Sequence, residues 1–510
     1  MNLKQIKLSL AAAIILIAGM AQADERPNII VFLVDDMGWQ DTSEPFHSEI
    51  TPLNKTYHTP AMTRLASEGM KFTNAYAMPV CTPTRSSLMS GMNAAHEGIT
   101  NWTSPLKNRN TDARDEELGA SNWNMNGLSP VAGIEKTVHA TTFPQLLKDA
   151  GYFTIHTGKA HWGAQGTPGA NPHQMGFIVN IAGHTAGHPQ SYLGEDNYGN
   201  IPGKTQLQAV PGLNEYYGTD TFLTEALTLE AIRALETPIQ NKQPFFLNMC
   251  HYALHTPIMA DKRFVEKYYA AGMDSTEARY ASLIEGMDKS LGDIMDYLEE
   301  KDVAQNTIII FMSDNGGLSL APPRGGKPFT HNLPLRAGKG SVYEGGIRVP
   351  MIVKWSGKVK PQTIAKQYVI IEDFFPTILE MAQVKDYHTV QSLDGRSFMP
   401  ILENPNFTDD SRDLVWHYPH KWIGTDGPAI NYFSAIRKGD WKLVYSLRTG
   451  KKELYNLKND LGEQHDLAAK NPKKVKELSA LLSERLRQWD APMPTVKQTG
   501  KHVNYPDQVK

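Results

Sequence analysis

NIIVFLVDD, residues 28–36, is a continuous apolar and β-branched run that ends directly in two carboxylates. A run of this kind, without polar alternation, is the pattern of a strand buried on both faces, as in the parallel sheet of an α/β domain. A second such run, NTIIIFM at residues 306–312, ends in Ser313-Asp314-Asn315-Gly316-Gly317. Helical periodicity over Pro60–Glu68 and Ser275–Glu299 falls between the strands, so the chain is expected to form an α/β, doubly wound sheet flanked by helices. Ligands bind such sheets outside the carboxyl ends of the strands. Asp35, Asp36, Asp314 and Asn315 are therefore expected on one rim.

The 510 residues are 41% hydrophobic, with 32 Pro and 40 Gly, enough for one large domain and a smaller one. A net charge of −3 excludes nucleic acid or an anionic membrane as a partner recognised by bulk charge. Lys4 and Lys7, the apolar run from Leu8 to Met20 and the small-x-small site Ala21-Gln22-Ala23 read as a signal peptide over residues 1–23. No later run has the length of a membrane span, so the expected product is exported, periplasmic or secreted. A count of only 2 Cys favours a bacterial compartment over a lysosomal one.

The two cysteines admit a Cys81–Cys250 disulfide, although Cys250 closes the apolar run PFFLNMC like a buried strand thiol. A thiolate phosphatase loop requires arginine six residues after the cysteine, and that position is Ser87. What remains is Cys81-Thr82-Pro83-Thr84-Arg85 at a helix start, where proline suits the first turn and free N–H groups favour an anion.

Other segments add to the same rim. TGKAHWG (residues 157–163) follows a short strand at Tyr152–Ile155 and carries Lys159 and His161. His251 and His255 follow PFFLNMC, and Lys339 stands between Gly338 and Gly340. Converging carboxylates repel unless neutralised, and an all-oxygen set suits Ca²⁺ or Mg²⁺ far better than Zn²⁺.

These motifs resemble the formylglycine-dependent sulfatases, the arylsulfatase-type branch of the alkaline phosphatase superfamily. The resemblance runs through RPNIIVFLVDDMGWQD, HTPAMTRLASEGMKFTNAY, CTPTRSSLMSG, TGKAHWG, MSDNGG, GKGSVYEGGIRVP and ELYNLKNDLGEQHDL, and the C-x-P-x-R motif is its most specific part. It implies a large mixed sheet, a bacterial glycan sulfatase and a Cys81 oxidised to formylglycine by a maturation enzyme, the partner such a chain requires. It further implies that Asp35, Asp36, Asp314, Asn315 and the modified residue 81 hold Ca²⁺. Arg85 would steady the hydrated aldehyde, Lys159 and Lys339 would hold sulfate oxygens, His255 would protonate the leaving oxygen, and His161 would act as base on the second hydroxyl. Ala160 and Leu254 depart from common family patterns without removing a titratable group.

The implied reaction is hydrolysis of a sulfate monoester on a sulfated saccharide. The alternatives are a phosphomonoesterase or phosphodiesterase of the same superfamily, and an inactive protein that binds sulfated glycan. Residues 101–133 and 163–213 are long polar segments expected to wall the pocket, with Trp102, Trp123, His184 and His188 as candidate sugar contacts. A catalytic domain over residues 24–403 is expected to give way to a C-terminal α+β subdomain over 404–510. There Asp413–Tyr418, Tyr432–Arg437 and Trp441–Ser446 alternate as antiparallel strands, a helix spans Pro472–Trp489, and His417 and His420 are expected mainly to pack.

Overall fold

The computed structural model describes residues 26–319, 331–423 and 427–509; the expected signal peptide lies outside them. Strand β1 (Asn28–Val34) is buried at every position. Its side chains alternate between two cores: Ile29, Val31 and Leu33 enter one, Ile30, Phe32 and Val34 the other. This is the physical meaning of an unbroken apolar run, since both faces of the sheet are covered.

Eight further strands complete the sheet: β2 (Met70–Tyr76), β3 (Phe153–Gly158), β4 (Val179–Ile181), β5 (Phe245–Cys250), β6 (Thr307–Ser313), β7 (Arg348–Lys354), β8 (Thr363–Ala365) and β9 (Val369–Ile370). Their order is β8-β2-β7-β6-β1-β5-β3-β4, with β9 also pairing β2. β1 pairs in parallel with both β5 and β6, whereas β7 runs antiparallel to β6 and β2, which makes the sheet mixed. One face is covered by α2 (Cys81–Ser90) and α5 (Phe374–Met381), the other by α1 (Pro60–Glu68), α3 (Leu223–Gln240) and α4 (Ser275–Glu300). The two buried runs read from sequence are thus central neighbours, with Val34 opposite Ser313, so the acidic turns that follow them leave the sheet side by side.

A second, antiparallel sheet has the order β10 (Asp413–Tyr418), β11 (Phe433–Lys438), β12 (Trp441–Ser446), β13 (Lys452–Asn456). The sequence pattern missed β13. Helix α6 (Pro472–Gln488) buries Leu478, Leu482 and Leu486 against this sheet, as its periodicity predicts. A short helix at Met399–Glu403 precedes the second sheet. Trp416 Nε1 donates to the carbonyl of Ala77 at 2.9 Å, which ties the second sheet to the loop leading into α2.

A buried ion network makes the same connection. Lys442 Nζ lies 2.8 Å from Glu344 Oε1 and 2.9 Å from Glu463 Oε1, and all three side chains are fully buried. Tyr76 donates to Glu344 Oε2 at 2.7 Å. With Lys442 removed, Glu344 keeps Arg348 Nη1 at 3.3 Å, but Glu463 loses its ion pair in a dry interior. Lys442→Ala is therefore expected to lose about 3–5 kcal/mol of unfolding free energy, measured by urea titration. A loss below about 1 kcal/mol would show that water enters this junction.

Candidate active site

The rim above β1 and β6 holds Asp35, Asp36 and Asp314, whose carboxylate oxygens lie within 4.8 Å of one another and are buried. Buried carboxylates this close need positive charge, and three cations supply it. Lys159 Nζ donates to Asp35 Oδ2 at 2.6 Å, Lys339 Nζ to Asp36 Oδ1 at 2.5 Å, and Arg85 Nε to Asp314 Oδ2 at 2.9 Å. Burial, joined by Asp314, pushes the Asp35 carboxyl well above the usual range. For Asp36 burial works the same way, but Lys339 and His255 overcome it and hold its carboxyl below that range.

Three acceptor atoms here have no hydrogen-bond partner among the described residues: Asp35 Oδ1, Asp36 Oδ2 and Asn315 Oδ1. Asn315 turns its Nδ2 to Asp36 Oδ1 at 2.8 Å, so its carbonyl oxygen is the free end. Unpaired buried oxygens of this number are costly, and an all-oxygen donor set of two carboxylates and an amide fits a hard divalent cation. The sequence-derived ligand set is thus brought together.

Cys81 is the first residue of α2, and both it and Cys250 are free, buried thiols, so the disulfide reading is corrected. Burial raises the Cys81 thiol above its ordinary range, which makes it a poor nucleophile as it stands. The helix is buried along its full length, and its Ser86 and Ser90 hydroxyls donate to the buried Glu97 carboxylate, which fixes the helix from behind. Arg85 also donates from Nη1 to the carbonyl of Lys159 at 2.8 Å, linking α2 to the loop after β3.

That loop carries His161, which has a positive φ of 56°. His161 Nε2 lies 2.8 Å from the carbonyl of Thr103, an acceptor only, so Nε2 carries the proton. Nδ1 is then a lone pair, and it lies 3.5 Å from Cys81 Sγ. Burial, reinforced by Lys159, drives the imidazole well below its usual pKa. His255 follows the same pattern: Nδ1 donates to the Thr256 carbonyl at 2.9 Å, and Nε2 points toward Asp36 Oδ2 at 3.8 Å. His251, the competing histidine, bonds Ser290 of α4 through Nε2 at 2.9 Å and packs on Phe32, away from the rim.

Cys81, His161, His255 and Lys339 line one cavity of about 280 Å³ together with Trp102, His188, Gln208 and Trp422. Lys159 is fully buried and is not among the cavity's lining residues. Trp123 does not reach the cavity; it is buried and packs edge-on against His420. His184 holds the loop by accepting from the His161 backbone N–H at 3.1 Å through its carbonyl. His417 and His420 are packed residues, the first between Ser434 Oγ and the Pro492 carbonyl, the second between Thr100 Oγ1 and Asp112 Oδ1. Gln208 and Trp422 were not singled out by sequence. Trp422 comes from the C-terminal sheet region and lies over Gly340, where a Cβ would meet the indole ring at 2.1 Å.

A family model described as Sulfatase matches residues 27–384, and one described as N-sulphoglucosamine sulphohydrolase, C-terminal, matches residues 338–491. The chain belongs to the sulfatase family. This sulfatase is 30% identical to a sulfatase of Formosa agariphila over 95% of its own length and 93% of the relative's. It is 31% identical to N-acetylgalactosamine-6-sulfatase of Mus musculus over 78% of its own length and 70% of the relative's. The crystal structure of Ps i-CgsB in complex with k-i-k-neocarrahexaose superposes with a TM-score of 0.70 at 25% identity, covering 95% of this chain and 96% of that one. The enzyme is a sulfuric ester hydrolase.

The hydrogen bond from His161 Nε2 to Thr103 makes a checkable demand. In ¹⁵N-resolved spectra, the resonances lost in His161→Gln should be those of a neutral Nε2–H tautomer at about pH 7, because burial and Lys159 hold the imidazole well below its ordinary pKa. Titration of these signals near the ordinary histidine value of about 6.5 would contradict the geometry.

Proposed function

We propose that this sulfatase removes sulfate from a sulfated carbohydrate, with Cys81 oxidised to formylglycine and one Ca²⁺ held by Asp35, Asp36, Asp314, Asn315 and residue 81. The observation that carries the reading is the 3.5 Å approach of the His161 Nδ1 lone pair to residue 81, beside three buried carboxylates whose neighbouring acceptors lack partners. As formylglycine, residue 81 would offer a hydrate with one hydroxyl to attack sulfur and a second whose deprotonation expels sulfate. The cation, when bound, would acidify a hydroxyl and offset sulfate charge.

The protein's own groups supply the rest. His161, neutral and with Nε2 tied to Thr103, is oriented to take a proton at residue 81 through Nδ1. Arg85 sits between α2 and Asp314, where it holds the start of the helix in register with the acidic rim. Lys339, in the cavity wall, and the fully buried Lys159 would provide positive charge for sulfate oxygens. His255 keeps Nδ1–H on a carbonyl, so its Nε2 carries the transferable proton to the leaving oxygen. Burial and Lys339 hold His255 below its usual pKa in the free protein, and the negative charge of an incoming sulfate ester raises it, so the proton arrives with the substrate.

Support for a sugar comes from relatives named for N-acetylgalactosamine 6-sulfate and from the carrahexaose complex of the structural neighbour. The same reading includes export through a leader over residues 1–23, a catalytic unit over 24–403, a C-terminal subdomain over 404–510, and a formylglycine-generating maturation enzyme as partner. Among the described residues no helix is long and apolar enough to cross a membrane.

Mass spectrometry of the peptide spanning Val80–Arg85, with elemental analysis of the same active sample, tests the proposal. The expected result is formylglycine at position 81 and about one Ca²⁺ per chain. An unmodified thiol in fully active enzyme would overturn it, and stoichiometric zinc lost together with activity would point to phosphate ester chemistry instead.

The His255 role has its own signature. A sugar alkoxide needs a proton in the transition state and an activated phenolate barely does, so His255→Ala should lose roughly 10²- to 10⁴-fold on a sulfated sugar and far less on 4-nitrophenyl sulfate. Equal losses on both substrates, with the fold and metal retained, would remove His255 from the acid role.

A further inference from the structure

Two acceptors on the cavity wall are left over once the sulfate chemistry has been assigned. Gln208 lines the cavity, and its Oε1 is buried without a hydrogen-bond partner among the described residues. His188 lines it too, and its Nδ1 lies 3.0 Å from the Pro189 carbonyl, so Nδ1 carries the proton and Nε2 is a lone pair. Burial lowers the His188 pKa and keeps the ring neutral at neutral pH. The backbone N–H of Gln190, two residues after His188, donates to the Gln208 carbonyl at 2.7 Å, which joins the two arms of the loop. The His188 ring stacks on His255 with centroids 5.6 Å apart and planes 10° from parallel, so this wall stands beside the group proposed to protonate the leaving oxygen.

Gln208 Oε1, buried and unpaired among the described residues, calls for a donor from the ligand, and the His188 Nε2 lone pair is a second acceptor on the same wall. A cationic donor is disfavoured, because Lys339 lines the same cavity. Neutral O–H or amide N–H donors satisfy both acceptors, while the indole faces of Trp102 and Trp422 suit the C–H face of a ring. We infer that His188 and Gln208 form a subsite that reads the hydroxyl or acylamino groups of the sugar ring bearing the scissile sulfate. The inference rests on the sulfated-carbohydrate reading above and assigns its ring specificity to these two side chains. An aryl sulfate, with no such donors on its ring, would leave both acceptors unpaired.

The test uses matured full-length enzyme and kcat/KM for 4-nitrophenyl sulfate and for the 4- and 6-sulfates of galactose and N-acetylgalactosamine. Gln208→Leu and His188→Leu remove one acceptor each, and His188→Gln retains one. Circular dichroism and the thermal midpoint check the fold of each variant. For the best saccharide, each leucine variant should lose roughly ten- to a hundredfold, mainly through KM, and about tenfold more than for 4-nitrophenyl sulfate. His188→Gln should recover part of the loss. Losses equal on sugar and aryl substrates, or no loss on either, would overturn the subsite and leave the carbohydrate reading standing. A wild type that cleaves 4-nitrophenyl sulfate and none of the saccharides would overturn the carbohydrate reading and the subsite with it.

Discussion

Three carboxylates buried within a few ångströms of one another cannot stay ionised without compensation, and the architecture at the rim follows from that constraint. Each carboxylate is met by a cation from a different part of the chain: Lys159 from the loop after β3, Lys339 from the turn before β7, and Arg85 from α2. Because Arg85 also reaches the Lys159 carbonyl, the charge balance joins the nucleophile helix to the neighbouring loop. Among the described residues three buried oxygens still lack partners after these bonds are counted, a donor set that suits a further hard cation.

The imidazoles depend on a second constraint, the choice of tautomer. His161, His188 and His255 each have one ring nitrogen committed to a backbone carbonyl: His161 through Nε2, the other two through Nδ1. In each the other ring nitrogen keeps a lone pair, that of His161 lying 3.3 Å from Thr82 Oγ1 and 3.5 Å from Cys81 Sγ, so residues of one type use different ring atoms. Asp36 and His161 hold positive φ values of 62° and 56°, a conformation sparsely used by residues with side chains. Their backbones are fixed by the rim: the amide of Asp36 bonds Asp314 Oδ1 and that of His161 bonds the His184 carbonyl.

Much of this was legible in the chain because it is local. A run such as NIIVFLV has one physical solution, a strand covered on both sides, and β1 was read at its observed limits, Asn28–Val34. Asp314 and Asn315 follow β6 immediately, as Asp35 and Asp36 follow β1, so the acidic rim followed from two strand ends and the parallel-sheet rule. Strand edges were less certain: β3 runs to Gly158 rather than Ile155, and β13 was missed, since it is short and only half buried along KELYN.

The sequence by itself determined the family, the α/β class and the acidic, basic and imidazole groups of the rim, because each is a residue type at a fixed spacing from a strand end or helix start. Tertiary structure alone decided which atom of each group faces the cavity. It put His251 against α4 and His255 at the rim, although they stand four positions apart and both follow the end of β5 at Cys250. It placed Trp422 over Gly340 and tied Gln190 to Gln208, contacts between segments far apart in the chain or in irregular loops. Such contacts carry no periodicity. They arise when desolvated polar atoms and ring faces find partners, and that is settled only once the two sheets have packed.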